Sequence, residues 1–205
     1  MDFWAIIPVK PFAQGKSRLS AVLGAAERAA LNRRLFGRVL DAMLVTFRPG
    51  RVVVVTGDAL LLAFVRDRGI HALEDSNGGL NAALGFSCRY AIERGASAIA
   101  VVPSDLPTVT AGDVAALAAA LGPAPCCVIA PDEQEQGTNA LALTPPDPGF
   151  FRYGPASFQA HLAAAKARGM EPRILRRPGL AGDLDTPENY RRYAEDQFNK
   201  SGVLA

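Results

Sequence analysis

"FWAIIPV" at residues 3–9 and "RVVVVT" at residues 51–56 are short apolar runs rich in β-branched and aromatic residues. Runs of this length and composition are what parallel strands buried on both faces produce. Between them, "SAVLGAAERAALNRRLFGRVLDAMLVTF" (20–47) carries helical apolar spacing. The rhythm continues beyond residue 56: it predicts a helix near 58–68, a strand over 70–74, a helix over 79–94, a strand over 97–105 and a helix over 111–121. Further strands are expected over 126–132 and 138–144. Strand and helix alternating through short connections predict an α/β fold with a mostly parallel sheet. The two consecutive strand signals after residue 126 predict that an antiparallel element joins late. No linker, internal repeat or low-complexity tract divides the chain, so a single domain over 1–205 is expected.

The composition, 49% apolar and 20% charged, is that of an ordinary globular chain with a sizeable core. A net charge of +2 argues against a nucleic-acid partner, which needs a clustered basic stripe. Any anion recognition should therefore be local. No apolar run approaches the roughly 20 residues needed to span a bilayer, and the N-terminus lacks a charged n-region and a small-residue cleavage site. No membrane partner and a cytoplasmic location are expected. Cys88, Cys126 and Cys127 lack C-x-x-C spacing and read as small buried apolar residues rather than a disulfide or zinc framework. His71 and His161 stand alone, and neither is assigned a role.

In an open α/β sheet, ligands bind beyond the carboxyl ends of the strands. That rule selects the loop after the first strand, "IPVKPFAQGKSRL" (7–19), whose centre looks like half of a phosphate-binding loop. A P-loop requires G-x-x-x-x-G-K-[ST], and the place of its first glycine is taken by Lys10, so the motif fails. What remains is a loop with Lys10, Lys16 and Arg18, suited to an anion. "VVPSDLP" puts Asp105 at the end of an apolar run, either capping the following turn or serving as a Mg2+ ligand. In "AGDLDTPENY", Asp183 and Asp185 lie two residues apart, so in an extended segment both carboxylates point to one side. Either Asp185 or Thr186 can also be the N-cap of a closing helix that begins at Pro187.

Gly78 and Gly79 in "DSNGGLNAAL" (75–84) can let the backbone approach a ligand or simply form a turn. Asn81 offers an amide able to read a base or ribose. Thr138 and Asn139 stand at a strand start, where they could line the same cleft. The proline- and glycine-punctuated loop at 144–155 leads into "RYGPASF", where Gly154 and Ser157 at a helix N-terminus suit a carboxylate.

Across nearly the whole chain and in order, "IPVKPFAQGKSRL", "GLNAAL", "VVPSDLP", "GTNAL", "RYGPASFQAHLAAA" and "GDLDTPENY" resemble the 2-phospho-L-lactate guanylyltransferase family of deazaflavin coenzyme biosynthesis. The resemblance implies a Rossmann-like, glycosyltransferase-A-like nucleotidyltransferase fold. It also implies an enzyme that joins GTP to 2-phospho-L-lactate, phosphoenolpyruvate or 3-phospho-D-glycerate. It implies that Lys16 contacts the nucleotide phosphates; Lys16 and Asp105 are expected to be catalytic, and Pro8, Lys10, Lys16, Arg18, Gly79 and Asn81 to line the nucleotide. By the same resemblance Asp105, Asp183 and Asp185 bind Mg2+, and Thr138, Gly154 and Ser157 hold the acid's carboxylate. Ser104 departs from the family pattern, in which alanine is usual. The next enzyme of the coenzyme pathway and a second copy of the chain are the protein partners the family suggests. The nearest alternative keeps the fold and changes acceptor or base, as in a molybdenum-cofactor guanylyltransferase-like enzyme or a cytidylyltransferase; the glycine-rich "LAGG" opening of the former is absent here. A non-catalytic nucleotide-binding module is the alternative of a different class.

Overall fold

The computed structural model describes residues 1–75 and 78–201. Among the described residues, seven strands form one sheet: β1 (Phe3–Val9), β2 (Val52–Thr56), β3 (His71–Glu74), β4 (Ala98–Val101), β5 (Cys126–Pro131), β6 (Thr138–Thr144) and β7 (Glu171–Ile174). Their spatial order is β3-β2-β1-β4-β6-β5-β7. β1 pairs in parallel with both β2 and β4, so the chain winds outward from it in two directions. β6 is antiparallel to both β4 and β5, as the paired late strand signals predict. β7 then lies parallel to β5 at the edge.

Period-two alternation divides the core between the two faces of the sheet. Ala5, Ile7 and Val9 of β1 join Val52, Val54, Ala100 and Val128 on one face. That face is covered by α1 (Ala25–Thr46), α2 (Ala59–Arg66) and α4 (Ala111–Ala119). Trp4 and Ile6 point the other way with Val53, Val55, Ile99 and Ile129, under α3 (Leu80–Ile92) and α5 (Ser157–Ala167). A strand apolar on both faces is what the unbroken runs at 3–9 and 51–56 require.

The helix expected over 20–47 begins later. Residues 17–21 form a 3-10 turn, and α1 starts at Ala25 after Gly24, whose N–H donates to the Glu27 carboxylate at 2.7 Å. β4 stops at Val101 because Pro103 has no N–H to continue a ladder. β7, "EPRI", was not anticipated, since its residues are half-buried or exposed and carry no apolar alternation. A short α6 (Pro178–Ala181) and a closing α7 (Pro187–Ser201) complete the chain.

All three cysteines are free and buried, and burial pushes the Cys88 and Cys127 thiols up to about 12, so neither ionises at neutral pH. Ser76 and Asn77, part of the candidate ligand stretch 75–84, lie outside the described residues. Among the described residues, no helix is long and apolar enough to cross a membrane.

Candidate active site

β1 and β4 end at the same edge of the sheet. β6 runs antiparallel to β4, so its first residues, Thr138 and Asn139, arrive at that edge too. The loop after β1 folds over it. Lys16 takes a left-handed backbone conformation (φ 60, ψ 35) where the loop turns into the 3-10 segment. Its Nζ donates to Asp105 Oδ2 at 2.8 Å and to Asp185 Oδ1 at 2.7 Å. The lysine side chain is 4% exposed, against 31% and 40% for the two carboxylates. Burial alone would weaken the ammonium, but Asp105 and Asp185 outweigh it and hold the Lys16 pKa above its ordinary value. Lys16 is thus a fixed positive charge.

The segment 182–186 reaches this point because of the residue between the two aspartates. Leu184 is wholly buried with Leu19, Leu23, Leu31 and Leu35, in a satellite cluster beneath the loop. With Leu184 turned inward, its neighbours Asp183 and Asp185 face the other way. Thr186, whose Oγ1 accepts from the Asn189 N–H at 3.2 Å, caps α7. That resolves the choice left open between Asp185 and Thr186, and it leaves Asp185 to pair with Lys16. Burial, then the charges of Asp185 and Asp105, push the Asp183 carboxyl up to about 6, with Lys16 opposing them.

Two cavities meet here. A cleft of about 690 Å3 is lined by the loop after β1, including Lys10, Lys16 and Arg18, together with Gly79 and Asp75. A side pocket of about 150 Å3 is lined by Thr138, Asn139, Tyr153 and Asp183. Pro8, Leu80, Pro103 and Asp105 belong to both walls. Gly79 precedes α3 at φ 84 and ψ 169, a conformation open in practice only to glycine, and so brings bare backbone to the cleft.

Other expected residues lie further back. The Asn81 amide is occupied by the Tyr153 main chain, donating to its carbonyl at 2.9 Å and accepting from its N–H at 2.8 Å. It ties α3 to the 144–155 loop. Ser157 is buried, and its Oγ accepts from the Thr138 N–H at 2.9 Å. Gly154 sits at φ 145, just before the turn into α5. The Asn139 amide holds the carbonyls of Leu180 and Ala181 at 2.8 and 2.9 Å. Asp75 and Asn32, both lining the cleft, were not anticipated. Asn32 is hidden within the helical pattern, and Asp75 reads as a turn residue. His161 was given no role, yet its ring lies against Thr138, with Nδ1 3.0 Å from Oγ1.

Among the described residues, no group of three or more Asp, Glu, His or Cys side chains forms a ready metal cage. Asp105 and Asp185 instead hold one ammonium between them, with Asp183 near enough for their charges to act on it. The set is all oxygen, and burial, then the charges of Asp185 and Asp105, raise the Asp183 pKa. Such a set fits a hard divalent cation that takes its remaining ligands from substrate phosphate oxygens.

A mostly parallel sheet whose strand order turns at β1, with a cationic loop over the strand ends and carboxylates opposite, places a ligand site at that edge, and the fold is that of α/β nucleotidyltransferases. The solved structure of a nucleotidyl transferase from Methanothermobacter shares the fold, with a TM-score of 0.67 at 15% identity over 97% of this chain and 98% of that one. Residues 3–192 match the family described as guanylyl transferase CofC like, and the chain belongs to that family. It is 44% identical over 192 residues to the phosphoenolpyruvate guanylyltransferase of Rubrobacter xylanophilus, covering 94% of this chain and 93% of that protein. It is 28% identical over 184 residues to the 3-phospho-D-glycerate guanylyltransferase of Colwellia psychrerythraea, covering 90% of this chain and 87% of that protein.

Proposed function

We propose that this guanylyltransferase joins GTP to phosphoenolpyruvate and releases pyrophosphate, as a cytoplasmic step of deazaflavin coenzyme synthesis. The other candidate acids are 3-phospho-D-glycerate and 2-phospho-L-lactate. The observation that carries the reading is the shared wall of the two cavities: a cleft of nucleotide size and a pocket of small-acid size meet at Asp105, beside the Lys16 ammonium. The choice of phosphoenolpyruvate is supported by the name of the 44% identical relative.

In this reading Pro8, Lys10, Lys16, Arg18 and Gly79 line the nucleotide, while Thr138 lines the acid's side, with Gly154 and Ser157 behind it. A phosphate oxygen of the acid attacks the α-phosphorus of GTP in line. A P–O bond forms there as the bond to the bridging oxygen of the β-phosphate breaks, and pyrophosphate leaves with the electron pair. The attacking group needs no general base, because a phosphate monoester has a second pKa of about 6 and is largely dianionic at neutral pH. The nearby histidine suits no such role: burial, helped by the Arg152 charge and opposed by the Ser157 main chain, pushes the His161 pKa down to about 4.

The barrier is repulsion between two polyanions, so catalysis rests on positioning and on the fixed charge of Lys16. Asp105, Asp183 and Asp185 are the residues that would hold Mg2+, which when bound neutralises phosphate charge.

Pyrophosphate release, measured with GTP and Mg2+ and each acid offered separately, tests this, with ATP and CTP as controls. Release with GTP and phosphoenolpyruvate is the expected result. Release with another acid alone reassigns the substrate, and binding of GTP with no release with any acid overturns the reaction.

A further inference from the structure

His161 is fully buried in α5, clamped between the Phe150 ring (centroids 5.7 Å, interplanar 7°) and the Tyr153 ring (4.9 Å, 72°). The Arg152 main-chain N–H donates to Nε2 at 2.9 Å. A backbone N–H can only donate, so Nε2 presents its lone pair, and the one proton of a neutral imidazole is on Nδ1. Nδ1 lies 3.0 Å from Thr138 Oγ1, so the Thr138 hydroxyl accepts there and cannot donate to the ring. The Thr138 N–H is already taken by Ser157 Oγ. One polar hydrogen of Thr138 is left, that of its hydroxyl, on a residue that lines the small pocket with Asp105 and Asp183.

We propose that His161 is a positioning residue for the acid substrate: its Nδ1–H fills the acceptor side of the Thr138 hydroxyl and leaves that hydroxyl to donate into the small pocket. The pocket then favours a ligand presenting an oxyanion at this point, a carboxylate or phosphate oxygen, over one presenting a hydroxyl or amine donor. This rests on the small pocket being the acid's. The Phe150 and Tyr153 rings fix the plane of the imidazole, and the Arg152 N–H fixes its tautomer. The Tyr153 ring lines the pocket as well, whereas His161 does not, so the hydrogen-bonded route from the histidine to a ligand runs through Thr138.

The test compares His161→Phe, which keeps the ring stack and removes both nitrogens, with His161→Asn, which keeps a donor near the Nδ1 position. His161→Phe is expected to raise the acid's KM about tenfold, the effect of one lost hydrogen bond to a charged group, with the GTP KM changed less than about twofold. His161→Asn should recover most of that loss, and in a Thr138→Val background His161→Phe should change the acid's KM no further. Equal shifts in both KM values, or additive effects of the two substitutions, overturn the proposal.

Should His161→Phe fail to fold, the wild-type protein still decides. The chain has two histidines, so a histidine-selective 15N spectrum holds two rings, and His71→Gln assigns them. An Nδ1–H tautomer for His161 at pH 7 is expected; an Nε2–H tautomer or an imidazolium overturns the proposal. Wild-type protein that releases no pyrophosphate with any acid refutes the functional reading instead, and the tautomer measurement stands apart from it.

Discussion

Lys16 holds a left-handed backbone turn and two carboxylates at once, and neither property can be read from the letters "GKS". The lysine stood out in the sequence as a cation in an anion-suited loop. Asp105 and Asp185 stood out too, but as metal ligands rather than as its ion-pair partners, since they lie 89 and 169 residues away. Lys16→Ala removes the cation from between two carboxylates, and steady-state pyrophosphate release should fall about 100- to 1,000-fold, the range seen when one preorganised charge-stabilising group is lost. A fall of less than about fivefold would remove Lys16 from the chemistry. His161 carries a prediction about pH. Its folded pKa of about 4 lies below the roughly 6.5 expected in the unfolded chain. The unfolded state therefore binds the proton first, and the stability that neutral His161 lends is complete above about pH 6.5 and is lost as pH falls towards 4. Urea midpoints should drop between pH 7 and pH 5 in the wild type and drop less in His161→Gln; parallel losses would place the sensitivity elsewhere.

Leu184 decides whether the late segment presents its aspartates. Its wholly buried side chain packs with Leu19, Leu31 and Leu35, which links the loop after β1, α1 and the approach to α7 in one apolar cluster. Leu184→Ala should destabilise the protein by about 2–5 kcal/mol. It should also lower turnover, because Asp183 and Asp185 lose their anchor. Thermal unfolding beside steady-state kinetics checks both, and lost stability with unchanged kcat would show that the segment holds its place without the leucine. The strands that build the site were legible for a related reason. β1, β2 and β4 are buried on both faces and so appear as unbroken apolar runs, and the paired signals at β5 and β6 foretold the antiparallel step. β7 was not legible, since an edge strand reading "EPRI" owes its existence to pairing with β5 rather than to its own pattern. The break before α1 was missed as well, because "SAVLG" keeps helical apolar spacing although the 3-10 turn ends at Ala21 and α1 begins only after the Gly24 cap.

At the scale of the whole molecule, the sheet's reversal at β1 and the antiparallel entry of β6 bring a large cleft and a small pocket to one edge, with Asp105 between them. Sequence order carried enough of this to name the region, but the division into two cavities depends on side chains that meet only when the chain is folded. A ligand bound by the native state alone raises its stability. GTP with Mg2+ should therefore raise the melting temperature more than CTP or ATP does, and an equal rise with all three would leave base choice unsupported. The central claim is that the acid's phosphate attacks the α-phosphorus of GTP across this shared wall. The most direct measurement supplies phosphoenolpyruvate labelled with 18O in its phosphate group, together with unlabelled GTP, and follows the products by 31P NMR and mass spectrometry. The expected result is a guanosine-diphosphate-linked acid whose bridging oxygen carries the label, with unlabelled pyrophosphate released. Label in the released phosphate, or GDP as the nucleotide product, would contradict it.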